Sequence, residues 1–466
     1  MEDISKSTEF LRSSPREALK EMVMEAKKRK RTRSDGMRML VLGCAVFLVA
    51  GFLWEPHWPG AMADFQAVFA ASRALLHHTD PYQSGNVLAE LHALAGQGNA
   101  LPSSSRQLQV ALLCINLPTT LCLLAPLALL PWSIAHLLWM VLTASLFILA
   151  SWLAWDLCAD FAPLAAGGVI GILVADSILL ITGGNMAGVV ISLTLLAVWC
   201  LLRARLEWLG VLSLAFALAV KPQDTGLIWL YFLLAGGVFR KRALQTLLAL
   251  AALWVPATLW VGRIARAWPA ELRGNLAQAA SKGQLNDPGP ASVTHLSLDM
   301  PVHLQTVFSV FRDSPRFYNF AAYLVCGLLL LAWIALTMRN RQTGDAPLLA
   351  LGAIAPLSLL PTYHRLYDAP LLLLAVPAFA VLWTEQGRLR KWALAFLALA
   401  LLCTGDFPLI VLGTLTKGLH LSPTGPWGRL QLVLLARPAT LALLALSCFL
   451  LTAFAIRLRT DQHLRD

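Results

Sequence analysis

Met39-Leu-Val-Leu-Gly-Cys-Ala-Val-Phe-Leu-Val-Ala-Gly-Phe-Leu-Trp54 is an uncharged apolar run of membrane length. Ahead of it stands the basic cluster Lys27-Lys-Arg-Lys-Arg-Thr-Arg33, and beyond it the chain reaches Ala63-Asp64-Phe65-Gln66. Runs of this kind recur along the 466 residues, of which 58% are hydrophobic and only 14% charged. A soluble core of this size is not so poor in charge, so the composition reads as an all-α, polytopic integral membrane protein. The formal charge of +11 does not point to nucleic acid. A basic cluster beside a membrane run is a cytoplasmic anchor that touches anionic lipid. The eight cysteines are scattered singly with no CxxC, and read as small core residues.

Residues 1–37 form a basic cytoplasmic arm, too long and too charged for an ordinary signal-peptide start, so 39–54 reads as an uncleaved anchor. Thirteen apolar runs follow one another along the chain, near 39–54, 107–130, 132–155, 163–181, 186–202, 208–220, 224–238, 243–262, 318–338, 347–361, 369–383, 391–411 and 435–456. Arg457/Arg459, Arg388/Arg390/Lys391, Arg339/Arg341, Arg240/Lys241/Arg242 and Arg203/Arg205 should all face the cytoplasm. With Asp64 outside, an odd number of crossings must separate it from Arg203, yet four runs lie between them. The weakest is 163–181, which carries Asp176 and ends in Thr182-Gly183-Gly184-Asn185, and we expect it not to span. Asp176 then has a structural role in a polar break. About twelve crossings (11–13) with both termini cytoplasmic result. The chain divides into a membrane module over 38–262 with a first outer loop at 55–106, a long outer loop at 263–317, and C-terminal helices over 318–466.

Polar loops therefore gather on the extracytoplasmic face, where no nucleotide sugar or ATP is available, and no P-loop, Rossmann or DxD pattern is present to bind one. Three constellations lie there. Asp64 is an ordinary carboxylate, ionised at neutral pH and able to act as a general base, or simply to cap the helix that starts at Phe65. Lys221-Pro222-Gln223 places a compact phosphate-binding cation at a proline break. Pro361-Thr362-Tyr363-His364-Arg365-Leu366-Tyr367-Asp368 packs cations, aromatics and a carboxylate into one loop: His364 and Arg365 suit a phosphate, Tyr363 and Tyr367 suit a sugar, and Asp368 is expected to pair with Arg365. His77, His78, His92, His136, His295, His303 and His420 lack metal-ligand spacing, and no metal is expected.

Asp64-Phe-Gln…Ala-Ala-Ser-Arg-Ala-Leu-Leu…Asp80-Pro81-Tyr82, then Pro118…Leu124-Ala-Pro-Leu-Ala-Leu-Leu-Pro131, then Gly183-Gly184-Asn185, then Gly210…Ala219-Val220-Lys221-Pro222-Gln223 resemble the successive signatures of polyprenol-phosphate-mannose-dependent alpha-mannosyltransferases. The resemblance covers residues 38–240, and more weakly reaches about 384. It implies a GT-C-type helical bundle with short amphipathic helices in the first outer loop. It also implies metal-independent, inverting transfer from a polyprenyl-phosphate sugar to a lipid or glycan acceptor, with no further cofactor. Asp64 then matches the catalytic residue, and Lys221, His364 and Arg365 hold the donor phosphate. Gln66, Tyr82, Asn185, Gln223, Tyr363, Tyr367 and Asp368 line the substrate, and the site faces outward from an inner membrane of the bacterial type. The pattern departs from the family at Leu117-Pro118-Thr119 and in the shortened Gly-Gly-Asn. A transporter or flippase is the other reading, but the two halves share no motif. An O-antigen ligase- or polymerase-like enzyme is a third.

Overall fold

The first apolar run lies inside a single long helix, α1 (Pro15–Trp54), which extends through the basic arm. The computed structural model describes residues 15–58, 60–96, 112–292, 301–339, 344–385, 388–416 and 425–463. His295, His420 and parts of the expected outer loops lie outside them. After α1 come α2 (Ala63–Leu76), α3 (Ser84–Gly96), α4 (Pro118–Ala128), α5 (Trp132–Cys158), α6 (Pro163–Ala175), α7 (Leu179–Thr182) and α8 (Ala187–Leu202). Then follow α9 (Glu207–Val220), α10 (Pro222–Ala235), α11 (Gly237–Ile264), α12 (Trp268–Ala279), α13 (Gln305–Phe311), α14 (Pro315–Arg339) and α15 (Ala346–Ser358). A 3₁₀ segment, Leu366–Leu374, leads into α16 (Val376–Thr384), α17 (Arg388–Thr404), α18 (Asp406–Thr416), α19 (Gly425–Ala436) and α20 (Pro438–His463).

Glycine spacing sets the first packing decision. Gly36, Gly43 and Gly51 recur at seven and eight residues and so share a helix face. A β-carbon at Gly36 would lie 2.2 Å from the Pro163 carbonyl oxygen, and one at Gly43 would lie 2.1 Å from that of Gly171. Near the far end, Gly51 meets Ile181. Pro163–Thr182 thus runs parallel to α1 along its length, backbone against backbone, as small residues permit between membrane helices. Overpacking of this kind costs about 1–3 kcal/mol or more. Gly43→Ala is accordingly expected to lower the thermal unfolding midpoint in detergent, which intrinsic fluorescence would report; an unchanged midpoint would refute the close contact.

This overturns the expectation that 163–181 does not span. Pro163–Thr182 has the length and apolarity to cross a membrane. Of the run 107–130, the stretch Pro118–Ala128 forms α4, which has 11 residues, about 16 Å, and packs along α2 with the Thr119 hydroxyl on the Ala219 carbonyl. The physical reason is a pair of reciprocal caps. Asp176 accepts the Phe407 N–H at 2.7 Å, and Asp406 accepts the Leu179 N–H at 2.8 Å, so both mid-helix breaks have their backbone satisfied inside the protein. The structural role expected for Asp176 is the one it has here.

Among the described residues six helices are long and apolar enough to cross a membrane, or eight if each of two bent pairs is one span. The bent pairs are Leu366–Leu374 with α16, turning by 44°, and α17 with α18, turning by 64°. The count of about twelve included runs that form shorter helices: α8, α9, α10 and α15 have 13 to 16 residues. They stop at the polar layer formed by Asn185, Lys221 and Thr362, short of the roughly 20 residues that a crossing takes. Leu248, Leu259, Leu328 and Leu331 stand exposed on the outside of the bundle, a surface that only hydrocarbon solvates well.

One end of the bundle is tied by arginines. Arg203 bridges Asp156 and Asp160, Arg33 approaches Asp156, and Arg242 pairs with Glu207. Arg457 joins Asp345 and Glu385, at the end of α15 away from His364. The opposite end carries Asp64, Lys221 and the Pro361–Asp368 loop.

Candidate active site

The first turn of α2 is sewn to the Thr182–Asn185 turn. Met62, in a left-handed conformation at φ 57°, gives its N–H to Thr182 O at 2.7 Å, and Trp139 Nε1 donates to Gly184 O at 3.0 Å. Gly184 has φ +63°, and a β-carbon there would strike Met62 and Phe65, so glycine is required twice over. Phe65 stacks on Trp139 with ring centroids 4.9 Å apart. This frame places Asp64 in the first turn of α2, where Met62 is the N-cap; Asp64 is not the cap. Asn185 accepts the Ala187 N–H at 2.8 Å through Oδ1, so its amide nitrogen necessarily faces the other way. That nitrogen donates to Asp64 Oδ2 at 2.7 Å. A half-buried carboxylate is thereby held in one orientation.

A second group forms where α9 ends and Pro222 restarts the chain as α10. Lys221 Nζ lies 2.5 Å from Asp368 Oδ1 and 3.1 Å from Asp224 Oδ2, and sits 5.4 Å from the centre of the Tyr367 ring. His364 Nε2 is 3.1 Å from Asp224 Oδ1, an ion-pair distance though poorly aligned for a hydrogen bond. Its Nδ1 is 2.9 Å from Thr362 O, an acceptor only, so Nδ1 carries a proton. His364 and Asp224 have no solvent exposure. Burial alone would hold the imidazole neutral, but Asp224 and Asp368 outweigh it and raise the His364 pKa. Burial likewise opposes the Lys221 charge, and the same two carboxylates more than compensate. Two cations thus alternate with two carboxylates in a row from His364 to Asp368.

The two groups meet around Tyr367. Its ring covers Lys221, and the Asp64 carboxylate is near enough to act on its hydroxyl electrostatically. Gln223 is exposed on the first turn of α10, and Gln66 is half-buried on α2. Other expected site residues are engaged elsewhere. Arg365 is buried and spends its guanidinium on the Tyr363 hydroxyl, Leu285 O at 3.0 Å and Asn286 Oδ1 at 3.2 Å, clipping the 285–286 segment to the loop. The expected Asp368–Arg365 pair is made through the backbone: Asp368 Oδ2 accepts the Arg365 N–H at 2.9 Å, leaving Oδ1 for Lys221. Tyr82 is buried, and its hydroxyl donates to Asn116 O at 2.9 Å, which makes it a peg between α2 and α4.

Asp224 is the residue that reading the sequence for site chemistry passed over. Its signal was present, an acid three positions after Lys221 with proline at the first helical position between them, which puts both side chains on one turn. Asp224, His364 and Asp368 are also the one grouping among the described residues with the composition of a metal site. Lys221 Nζ lies against both carboxylates, where a cation would sit.

The profile of "Glycosyltransferase family 87" matches residues 115–362, more than half of the chain. The matched stretch contains Asn185, Lys221 and Asp224 and ends just before His364. No curated protein and no solved structure matches the chain. With an apolar helical bundle around the polar cluster to which this stretch contributes Asn185, Lys221 and Asp224, the chain belongs to glycosyltransferase family 87 and is a membrane glycosyltransferase.

Proposed function

We propose that the protein moves a sugar, mannose or another hexose or pentose, from a polyprenyl-phosphate donor to a hydroxyl of a lipid or glycan acceptor, with inversion, at the extracytoplasmic face. The observation that carries this reading is the convergence of an oriented carboxylate with the basic side chains of Lys221 and His364 at the end of the bundle opposite the arginine-rich turns. Those turns belong in the cytoplasm by the positive-inside rule, together with both termini. Asp64 takes the proton of the acceptor hydroxyl as its oxygen bonds to the anomeric carbon. The anomeric carbon–phosphate oxygen bond breaks on the opposite face, and the polyprenyl phosphate leaves with the electron pair. Lys221 and His364 stabilise the departing phosphate. Arg365 serves by fixing the loop, since its donors are already committed.

Because Lys221 fills the place between Asp224 and Asp368, transfer should survive a chelator. The test is the purified protein in proteoliposomes with polyprenyl-phosphate mannose and membrane-lipid acceptors, with and without EDTA. Mannosyl transfer of inverted configuration, unaffected by EDTA, is expected. Transfer from a nucleotide sugar instead, or movement of the intact lipid-linked sugar between leaflets without transfer, would sink the proposal, and loss of activity with EDTA would sink its metal independence.

A further inference from the structure

His303 lies on the strip 301–304, which pairs with the loop that carries His364: the Val302 N–H donates to His364 O at 2.9 Å and the Leu304 N–H to Leu360 O at 2.9 Å. The His303 side chain is buried, with 4% of its surface exposed. Its protonation follows from its neighbours. Gln305 Nε2 donates to Pro361 O at 2.8 Å, so Gln305 Oε1 is the atom facing His303 Nδ1 at 2.8 Å. A flipped amide would set two oxygens against each other. Nδ1 therefore carries the proton, and Nε2 is a bare lone pair. That lone pair is buried and has no hydrogen-bond partner among the described residues. A buried acceptor left unmet costs about 1–3 kcal/mol, so a partner is expected.

The ionic groups that act on His303 are His364, Arg437 and Arg365, all basic, and the Tyr363 ring lies 6.1 Å away. Burial, reinforced by these cations, pushes the imidazole pKa down to about 4, so Nε2 stays an acceptor at neutral pH. An acceptor repels phosphate oxygens. What it can take is a neutral O–H or N–H donor, and next to the cations proposed to hold the donor phosphate, the group rich in such donors is the sugar.

We infer that His303 Nε2 accepts a hydrogen bond from one hydroxyl of the sugar being transferred, making His303 a residue that selects the sugar. The inference rests on the proposed use of a polyprenyl-phosphate sugar. His303→Asn is the informative change, because its amide N–H can still meet Gln305 while nothing replaces Nε2. With polyprenyl-phosphate mannose as donor, kcat/KM should fall about ten-fold, the size of one neutral hydrogen bond. In a set of donors each lacking one mannose hydroxyl, one should be used equally well by His303→Asn and by the unsubstituted protein. An undiminished rate on the parent donor, or a loss of equal size on every deoxy donor, would show a water-filled or structural site and overturn the inference. If the variant does not fold, ¹⁵N-histidine spectra of the unsubstituted protein decide. The bare Nε2 resonance should move on adding the parent donor and stay still with the matching deoxy donor; a resonance that does not respond to the parent donor overturns the inference. Absence of transfer by the unsubstituted protein from any polyprenyl-phosphate sugar would instead bring down the proposed reaction itself.

Discussion

Asp64→Asn is expected to lower sugar transfer by about 10²- to 10⁴-fold, the usual worth of a general base, with the unfolding midpoint little changed. The reason for separating the two effects lies in Asn185. Its orientation is fixed by the Ala187 N–H, and it donates to Asp64 Oδ2. An amide at position 64 still offers an oxygen to that donor, so the local structure keeps its hydrogen bond while the proton acceptor is gone. Transfer rate and thermal unfolding measured on the same preparation make the comparison. Full activity in a folded Asp64→Asn protein would remove the base from the mechanism.

The largest stability effect should come from Asp224→Asn. Asp224 is fully buried between Lys221 and His364, 3.1 Å from each. Neutralising it leaves the partly buried Lys221 and the buried His364 with Asp368 alone, and breaking a buried ion pair typically costs about 3–5 kcal/mol. The substitution should also flatten a pH dependence. Because the folded-state pKa of His364 is raised, its contribution to stability is fully present below the ordinary histidine value of about 6.5 and is lost as pH rises through the folded value. The unsubstituted protein should therefore unfold at progressively lower temperature as pH climbs above that ordinary value. In Asp224→Asn the slope should shrink. A midpoint that rises with pH in this range would contradict the charge assignment of His364.

The architecture was legible because hydrocarbon demands long uncharged runs, and those survive as a pattern in one dimension. Which run crosses was not legible, since the cost assigned to Asp176 depends on whether its carboxylate finds a donor. That donor, the Phe407 N–H, lies more than two hundred positions away. The same limit explains the site. Asp64, Lys221, His364, Tyr367 and Asp368, which the structure brings together, stood out by residue type and placement beside breaks, and Asn185 by the family resemblance. Arg365 and Tyr82 have the same chemical types, but their donors are taken by the carbonyls of Leu285 and Asn116, partners that no local spacing announces. His303 was set aside for want of metal-ligand spacing, and only its pairing with Gln305 gives it a defined lone pair. Asp224 was readable from its spacing to Lys221 and shows that an acid next to a phosphate-binding cation deserves as much weight as the cation.

The exchanged caps of Asp176 and Asp406 make two interruptions into a single latch. Each broken helix has a backbone N–H at its interruption met by the other's carboxylate, and a β-carbon at Gly405 would fall 1.8 Å from Asp176 Oδ2, so no larger residue fits at the clasp. Neither helix can slide alone without stranding amide hydrogens in oil. Tyr367 and Pro370 line the small cleft beside this clasp, and the same tyrosine roofs Lys221. Sideways displacement of the late bent helix is therefore geared both to the helix that lies along α1 and to the ceiling of the charged row.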